Sequence, residues 1–544
     1  MRLAIAQINP TIGALEANRK LIERAVDDAV DAGADLLALP EMALTGYPPM
    51  DLLERDGFVR DQVRELETLA KASKRVAIAL GAVLPLPEGQ PKQLSNAAVL
   101  LAGGERLAAQ PKTLLPSYDV FDEKRYFTPA EKREAVQLPG HETMLGLSVC
   151  EDTWVEMLPY ADNPVEDLVR AGAELILNLS ASPWHLSKPS ERREMLARLA
   201  AQHDVPIAFV NQVGGNDELV FDGASFVIDP RGRVHAQLPI FEPGFAVVDL
   251  PLDKPIDVPD PEPVSQLEGA LVLGIRDYFA KQGLPPGAVI GLSGGIDSAV
   301  TAHLAVEALG AERVLGIAMP GPFSSEHSLG DALAVGRNLG IEVRVVDINP
   351  IYGAYREIFG SLFGERDDYG LTQQNIQSRI RGAILMAVSN DEGRLVLATG
   401  NKSELSLGYC TLYGDTVGGI GVLGDVYKRD VYALARYANR ADERIPENTI
   451  AKPPSAELAP DQLDSNELPA YDILDAVLEQ AIEGGLGAAG IELPEGCSRE
   501  SADWIVRRLD RNEYKRRQTP LVLRTSPKAF GSGRRLPIVH RYEG

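Results

Sequence analysis

Short apolar runs recur along the first half of the chain, and between them apolar residues return every three or four positions. Leu3–Ile8, Leu36–Leu39, Val76–Leu80, Ala97–Leu101, Leu145–Val149, Leu175–Leu179, Ile207–Val210 and Ala224–Ile228 read as strands. Ala14–Asp31, with Leu21, Ile22, Ala25 and Val26 on one face, reads as a helix, as does Ser190–His203. Strands alternating with helices in this way predict an α/β sandwich. The second half repeats the alternation more tightly. Helix Leu267–Lys281 is followed by strand Ala288–Leu292, helix Ala299–Leu309 stopped by Gly310, strand Val314–Ala318 and helix Asp331–Leu339. Strand Glu342–Asp347, helix Asn375–Val388 and strand Leu395–Ala398 complete a doubly wound parallel sheet, with ligands expected at the carboxyl ends of its strands. Between the halves stand Pro251, Pro255, Pro259, Pro261 and Pro263 among acids. They predict a stiff linker over 251–265, between domains at 1–250 and 266–544.

Charge changes this picture in one respect. Across 544 residues the formal net charge is −24, which argues against nonspecific nucleic-acid binding and against an anionic membrane surface. A phosphate-bearing substrate must then be held by local donors and metal ions. Cys150, Cys410 and Cys497 are too scattered for a disulfide framework, and no Cys/His spacing suggests zinc. The opening residues Met1–Ala6 read as a core strand rather than a targeting segment, and no apolar run approaches a membrane span. A cytoplasmic protein with small-molecule partners, without nucleic acid or membrane, is expected.

The candidate chemistry sits at strand ends. Ser293-Gly294-Gly295-Ile296-Asp297-Ser298 joins a buried strand to a helix. Its small residues let backbone approach a ligand, the helix N-terminus favours an anion, two hydroxyls can donate, and Asp297 can hold a divalent cation against phosphate oxygens. It is not a Walker A loop, because no Lys follows the second glycine. Gly419-Ile420-Gly421-Val422-Leu423-Gly424 fits GxGxxG, but no strand precedes it, and it is expected to be a loop. In the first half Glu41, Lys112 and Cys150 each stand at or near a strand end. Singly, Glu41 reads as an edge carboxylate, Lys112 as a surface lysine, and Cys150 equally as an exposed nucleophile or an inert buried thiol. Jointly they supply a base for the thiol proton, a cation for an oxyanion, and the nucleophile itself. Two other designs for a cysteine nucleophile are excluded. Position 2 is Arg2 rather than a cysteine, and no His-x-Glu pair follows Cys150.

The hexapeptide Ser293–Ser298 resembles the SGGxDS loop of the ATP pyrophosphatases, which hold the departing pyrophosphate of ATP. Glu41, Lys112 and Cys150 resemble the triad of the nitrilase superfamily, which hydrolyses amides through a thioester. The two together are the layout of the glutamine-dependent NAD+ synthetase family, and the resemblance runs along essentially the whole chain. It extends through Thr45–Leu53, Ser182-Pro183-Trp184, Asn375–Arg381, Thr399–Glu404, Gly424–Lys428, Lys452–Leu458 and Glu513–Arg516.

The resemblance implies a nitrilase-like α-β-β-α sandwich followed by an adenine nucleotide α-hydrolase-like domain. It implies that Tyr118, Ser182 and Lys188 bind glutamine, and that Gly291, Leu292, Ser293, Gly294, Gly295, Ile296, Asp297 and Ser298 bind ATP with Thr399, Lys428 and Ser455. Asn375, Glu404 and Lys515 would bind deamido-NAD+, and Asp297 and Glu404 would hold Mg2+. The implied reaction adenylates deamido-NAD+ with ATP and displaces AMP with ammonia, supplied directly or released from glutamine by Cys150. Because ammonia is mostly ammonium in neutral water, a protected passage is expected. The resemblance also implies a homo-oligomer, a dimer through the synthetase domain or an octamer built from it. Of the basic stretch Arg507, Arg508, Arg511, Lys515, Arg516 and Arg517, only Lys515 is given a role; the arginines read equally as a solvated helix face.

Overall fold

The computed structural model describes residues 1–542 except 56, 88, 90, 91, 157–159, 284, 285, 461 and 467. The chain forms two compact units, Met1–Pro261 and Glu262–Gly544.

The first unit holds strands β1 (Arg2–Gln7), β2 (Leu36–Ala38), β3 (Ala77–Pro85), β4 (Leu94–Ala102), β5 (Glu105–Pro111), β6 (Ala135–Gln137) and β7 (Met144–Val149). It continues with β8 (Leu175–Ser180), β9 (Ile207–Asn211), β10 (Val213–Asn216), β11 (Leu219–Asp222), β12 (Phe226–Ile228), β13 (Val234–Gln237) and β14 (Gly244–Asp249). One six-stranded sheet runs β14-β1-β2-β3-β4-β5, a second runs β13-β12-β9-β8-β7-β6, and β10-β11 is a separate hairpin. Helices α1 (Leu15–Asp31), α2 (Phe58–Ala70), α3 (Pro164–Arg170) and α4 (Lys188–His203) complete it.

Side-chain alternation along the strands builds the layers. Leu3, Ile5 and Leu36 of the first sheet share a core with Leu147, Leu177 and Val210 of the second. Ala4, Leu37 and Ile78 turn the other way, onto Ile22 and Val26 of α1 and Leu66 and Leu69 of α2. Ile176, Ile207 and Phe209 do the same against Leu168 of α3 and Leu196 and Leu199 of α4. The result is an α-β-β-α sandwich whose central strands are covered on both faces, so they read as unbroken apolar runs. Strands that carry no such run, β5, β6 and β13, lie at sheet edges, where polar residues reach solvent. The proline-rich segment is extended along this unit. Ile256 N–H donates to Val234 O (2.7 Å), and Val258 packs against the α4 core.

The second unit opens with α5 (Pro263–Gln282), whose first residue is the last proline of that segment, in the first turn, where a missing N–H costs nothing. Then come β15 (Ala288–Gly291), α6 (Ile296–Leu309), β16 (Val314–Ala318), α7 (Glu326–Leu339), β17 (Glu342–Val345), α8 (Asn349–Phe363) and α9 (Leu371–Glu392). After them lie β18 (Leu395–Ala398), α10 (Lys402–Leu407), β19 (Ile420–Gly421), α11 (Lys428–Ala438) and, beyond further short helices, β20 (Leu521–Val522). The sheet order is β17-β16-β15-β18-β19-β20, and its pairings are parallel. The order reverses between β15 and β18, which opens a crevice at their carboxyl ends. The glycine-rich stretch expected to be a loop contains β19, which pairs with β18 and β20. Two residues are too short to leave a periodic signal. Among the described residues, no helix is long and apolar enough to cross a membrane.

Candidate active sites

Each unit gathers reactive side chains where its strands end. In the first unit Glu41 follows β2, Lys112 follows β5 and Cys150 follows β7. The lysine ammonium sits between two carboxylates, donating to Glu41 Oε1 (2.9 Å) and to Glu123 Oε1 (2.7 Å). Asn96 Nδ2 donates to Glu41 Oε1 (2.6 Å), Ala181 N–H to Glu41 Oε2 (2.9 Å), and the Tyr47 hydroxyl to Glu123 Oε1 (2.9 Å). All of these groups are buried.

Cys150 begins a tight turn with φ of 41°, a left-handed conformation that costs a residue with a Cβ roughly 1–3 kcal/mol. The turn is held by Asn178 Nδ2 (3.3 Å) and the Thr153 hydroxyl (3.1 Å), both donating to Cys150 O. Asp152 ties it to the lysine loop. Its Oδ1 accepts from Thr113 N–H (2.9 Å) and Leu114 N–H (2.8 Å), and its Oδ2 from Val149 N–H (3.2 Å).

Electrostatics assign protons. Burial, with Glu41 adding and Lys112 opposing, pushes the Cys150 thiol well above its ordinary pKa, so the resting group is a thiol. Burial disfavours the Lys112 charge, but Glu123 and Glu41 outweigh it and hold the ammonium charged. Burial pushes Glu123 up to about 7, against the pull of Lys112. Glu123, Asn96 and Tyr47 had no assigned role in the sequence. Glu123 stands in the charged run Asp122–Arg125, where nothing in the sequence distinguishes it from its neighbours.

Of the residues expected around this site, the Tyr118 hydroxyl donates to Glu151 Oε1 (2.9 Å), as does that of Tyr160 (2.8 Å). Ser182 lies just past β8 and is held by its backbone, its N–H donating to Asn211 Oδ1 (2.8 Å). Lys188, in the first turn of α4, places its ammonium 3.8 Å from the centre of the Trp154 ring.

In the second unit Gly291–Gly295 lead from β15 into α6, which starts at Ile296, inside the hexapeptide rather than after it. The helix therefore offers its free N–H groups within the motif. The Ser293 and Ser298 hydroxyls lie 3.2 Å apart, Gly295 N–H donates to Ser293 Oγ (3.1 Å), and Gly294 has φ of 79°. A Cβ on Gly294 would stand 2.2 Å from Ser328 O, so only glycine fits there.

Beside this cradle, Lys428 Nζ donates to Asp297 Oδ2 (2.6 Å) and to Glu404 Oε1 (3.2 Å), while Asn401 Nδ2 donates to Asp297 Oδ1 (2.8 Å). Burial pushes Glu404 up to about 8, with Lys428 opposing and Asp297 adding. Burial also works against the charge on Lys428, but the two carboxylates overcome it and hold its pKa above the ordinary value. Among the described residues, no three carboxylate, imidazole or thiol groups converge on a common metal position.

The structure brings Asp297, Glu404 and Lys428 together directly, with Thr399 at the end of neighbouring β18. Ser455 belongs to a loop that closes on itself, its hydroxyl donating to Gln462 O (2.5 Å). That loop reaches the cradle through Glu457, which accepts from the hydroxyls of Ser325 (3.0 Å) and Ser328 (2.7 Å). Asn375 and Lys515 both hold the loop that follows α10. Asn375 Oδ1 accepts from Thr411 (3.1 Å), and Lys515 Nζ donates to Gly408 O and Cys410 O (2.7 Å each). The basic stretch is divided. Arg516 is buried on Glu513, Leu405 O and Ser406 O, whereas Arg507, Arg511 and Arg517 are exposed.

Comparison with known proteins follows this division. Residues 2–259 match the carbon-nitrogen hydrolase family model, and residues 268–519 match that of NAD synthase. The chain is 43% identical to the glutamine-dependent NAD(+) synthetase of Synechocystis sp. over 99% of both chains. It is 40% identical to that of Thermotoga maritima over 100% of this chain and 99% of the relative. Among solved structures it is similar to the glutamine-dependent NAD+ synthetase of Acinetobacter baumannii in complex with ADP. That likeness has a TM-score of 0.78 at 37% identity, covering 99% of this chain and 98% of the other.

Proposed function

This chain belongs to the glutamine-dependent NAD+ synthetases and is an enzyme of that kind; from this we propose that Cys150 frees ammonia in the first unit and that the second unit spends ATP to attach it to deamido-NAD+. The observation that carries the reading is the buried Lys112 ammonium clamped by Glu41 and Glu123 in the unit that bears Cys150. A desolvated cation between two carboxylates is a poor stabilising device, so a chemical task accounts for it better.

In this reading the glutamine side-chain amide meets the Cys150 thiol with Glu41 as base. Because the resting thiol is protonated, Sγ attacks as its proton passes to Glu41. Lys112 faces the oxyanion that forms, and one such preorganised donor contributes about 10²–10³ in rate. Glu41 returns the proton to the departing ammonia, then takes one from the water that cleaves the thioester. Glu123 holds Lys112 in place, with the Tyr47 hydroxyl as its own anchor. Tyr118, Ser182 and Lys188 would orient glutamine.

In the second unit the carboxylate of deamido-NAD+ attacks the α-phosphorus of ATP. Pyrophosphate leaves into the cradle, where the Ser293 and Ser298 hydroxyls and the first N–H groups of α6 face it. Ammonia then displaces AMP to give NAD+. The relative solved with ADP supports an adenine nucleotide as a ligand of this family. Thr399, Lys428 and Ser455 would contact ATP, and Asn375, Glu404 and Lys515 the dinucleotide. The donor set fits Mg2+, which takes one or two carboxylates and fills its other positions with water and phosphate oxygens. Asp297 and Glu404 would hold it, and when bound it neutralises charge on the phosphates.

The direct test supplies ATP, Mg2+ and glutamine with deamido-NAD+ or with simpler nicotinate- and benzoate-type carboxylates, and measures AMP and pyrophosphate. NAD+ with equimolar AMP is expected from deamido-NAD+ alone. ADP and phosphate as the products, or equal turnover of the simpler acids, would overturn the reading.

A second expected result comes from packing. A Cβ on Gly81 would fall 2.3 Å from Glu41 Cα, so Gly81→Ala must shift the base. Misplacement of about 1 Å costs on the order of 10²-fold. Glutamine-dependent NAD+ formation should fall by roughly that factor, with ammonia-dependent formation kept, as steady-state rates with the two nitrogen sources will show.

A further inference from the structure

The segment after β8 does two jobs at once. Glu41 N–H donates to Ser180 O (3.4 Å) and Ala181 N–H holds Glu41 Oε2, so this backbone aims the base. Ser182, the next residue, is expected to meet glutamine. One side-chain amide holds both backbone groups of Ser182. Asn211, at the end of β9, accepts from Ser182 N–H at Oδ1 and donates from Nδ2 to Ser182 O (3.3 Å).

An asparagine amide can face either way, because its oxygen and nitrogen are nearly isosteric. Here the choice is forced. Asn211 Nδ2 also donates to Asp222 Oδ1 (3.1 Å), and an ionised carboxylate accepts only donors. Asp222 is in turn gripped by Arg192 of α4, with Nη1 donating to Oδ1 (3.2 Å) and Nη2 to Oδ2 (2.5 Å). The guanidinium lies 4.7 Å from the centre of the Phe209 ring, and Arg192, Asp222 and Asn211 are each fully buried. A buried ion pair contributes little net stability compared with apolar residues of equal volume. Its effect here is directional: it keeps the Asn211 amide in the one orientation that offers an acceptor to Ser182.

We propose that Arg192 and Asp222 are positioning residues of the glutaminase reaction, acting through Asn211 to fix the backbone of Ala181 and Ser182 and so the base and the glutamine subsite together. The proposal rests on the reading of the first unit given above.

Two double variants of the full-length protein test it, both without a buried charge. Arg192→Met/Asp222→Asn keeps an acceptor for Asn211 Nδ2, whereas Arg192→Met/Asp222→Leu removes it. With Asp222→Leu in the pair, the KM for glutamine is expected to rise and the glutamine-dependent kcat to fall, each by about tenfold or more, while ammonia-dependent constants stay within about twofold. With Asp222→Asn in the pair, the glutamine constants should return to within about threefold of the parent. If both doubles behave alike with glutamine, whether intact or equally impaired, the pair is only structural and the proposal fails. Should both unfold early on heating, Asn211→Ala, which leaves the ion pair whole, carries the same expectation of a glutamine-specific loss, and unchanged glutamine constants would overturn the proposal. Failure of the parent protein to use glutamine at all would instead overturn the underlying reading.

Discussion

Cys150→Ala protein is expected to make NAD+ from deamido-NAD+ and ATP at nearly the parent rate when ammonium salt is supplied at alkaline pH, and essentially none from glutamine. The substitution is mild structurally. Alanine bears the same left-handed backbone penalty as cysteine at φ of 41°, so no new strain arises. Asn178 and Thr153 bind the carbonyl of residue 150 rather than its side chain, so the turn survives. Only the nucleophile is lost. Removing a nucleophile of this type costs on the order of 10⁴-fold or more in rate. Parallel assays of NAD+ with each nitrogen donor measure the split. An equal fall with both donors would refute the assignment of ammonia release to Cys150 alone.

Asp297→Asn is expected to have the complementary phenotype, with both nitrogen sources failing together. Asp297 sits at the start of α6 with Lys428 on one oxygen and Asn401 on the other. Neutralising it removes one of the two carboxylates suited to Mg2+ and leaves Lys428 paired with Glu404 alone. Electrostatic stabilisation of a transferring phosphoryl group by one preorganised charge contributes about 10²–10³ in rate, so a fall of that size is expected with glutamine and ammonia alike. The second unit should stay folded, because Lys428 keeps Glu404 as a hydrogen-bond partner and Asn401 still finds an acceptor. The loss of one charge-assisted hydrogen bond is expected to cost roughly 1.5–3 kcal/mol, visible as an earlier melt. Full activity with either donor would remove Asp297 from the ATP site.

The two variants together separate the units functionally. They also indicate what could be read from the chain in advance. Strands such as Ile207–Asn211 were legible because both of their faces are buried, which leaves an unbroken apolar run over Ile207–Val210. The Ser293–Ser298 turn was legible because the chemistry of an anion cradle demands small residues at fixed spacing. Edge strands such as Ala135–Gln137 were not, since their composition is that of a loop and only pairing with Met144–Val149 makes them strands. Side chains whose role comes from a distant partner were equally silent. Glu123 acquires meaning only when Lys112 arrives at 2.7 Å, and Asn96 only when it meets Glu41 across the sheet. Helix α6 starts ahead of the apolar pattern at Ala299, because Asp297 in its first turn is favoured by the helix dipole and carries no periodic signal.

The Asp152 carboxylate gathers three backbone N–H groups, two from the stretch after Lys112 and one from the strand that delivers Cys150. The stretch after Lys112 and the strand that ends at Cys150 are thus moored to a single post. Loosening that one carboxylate frees both stretches of backbone together, because it accepts from each of them.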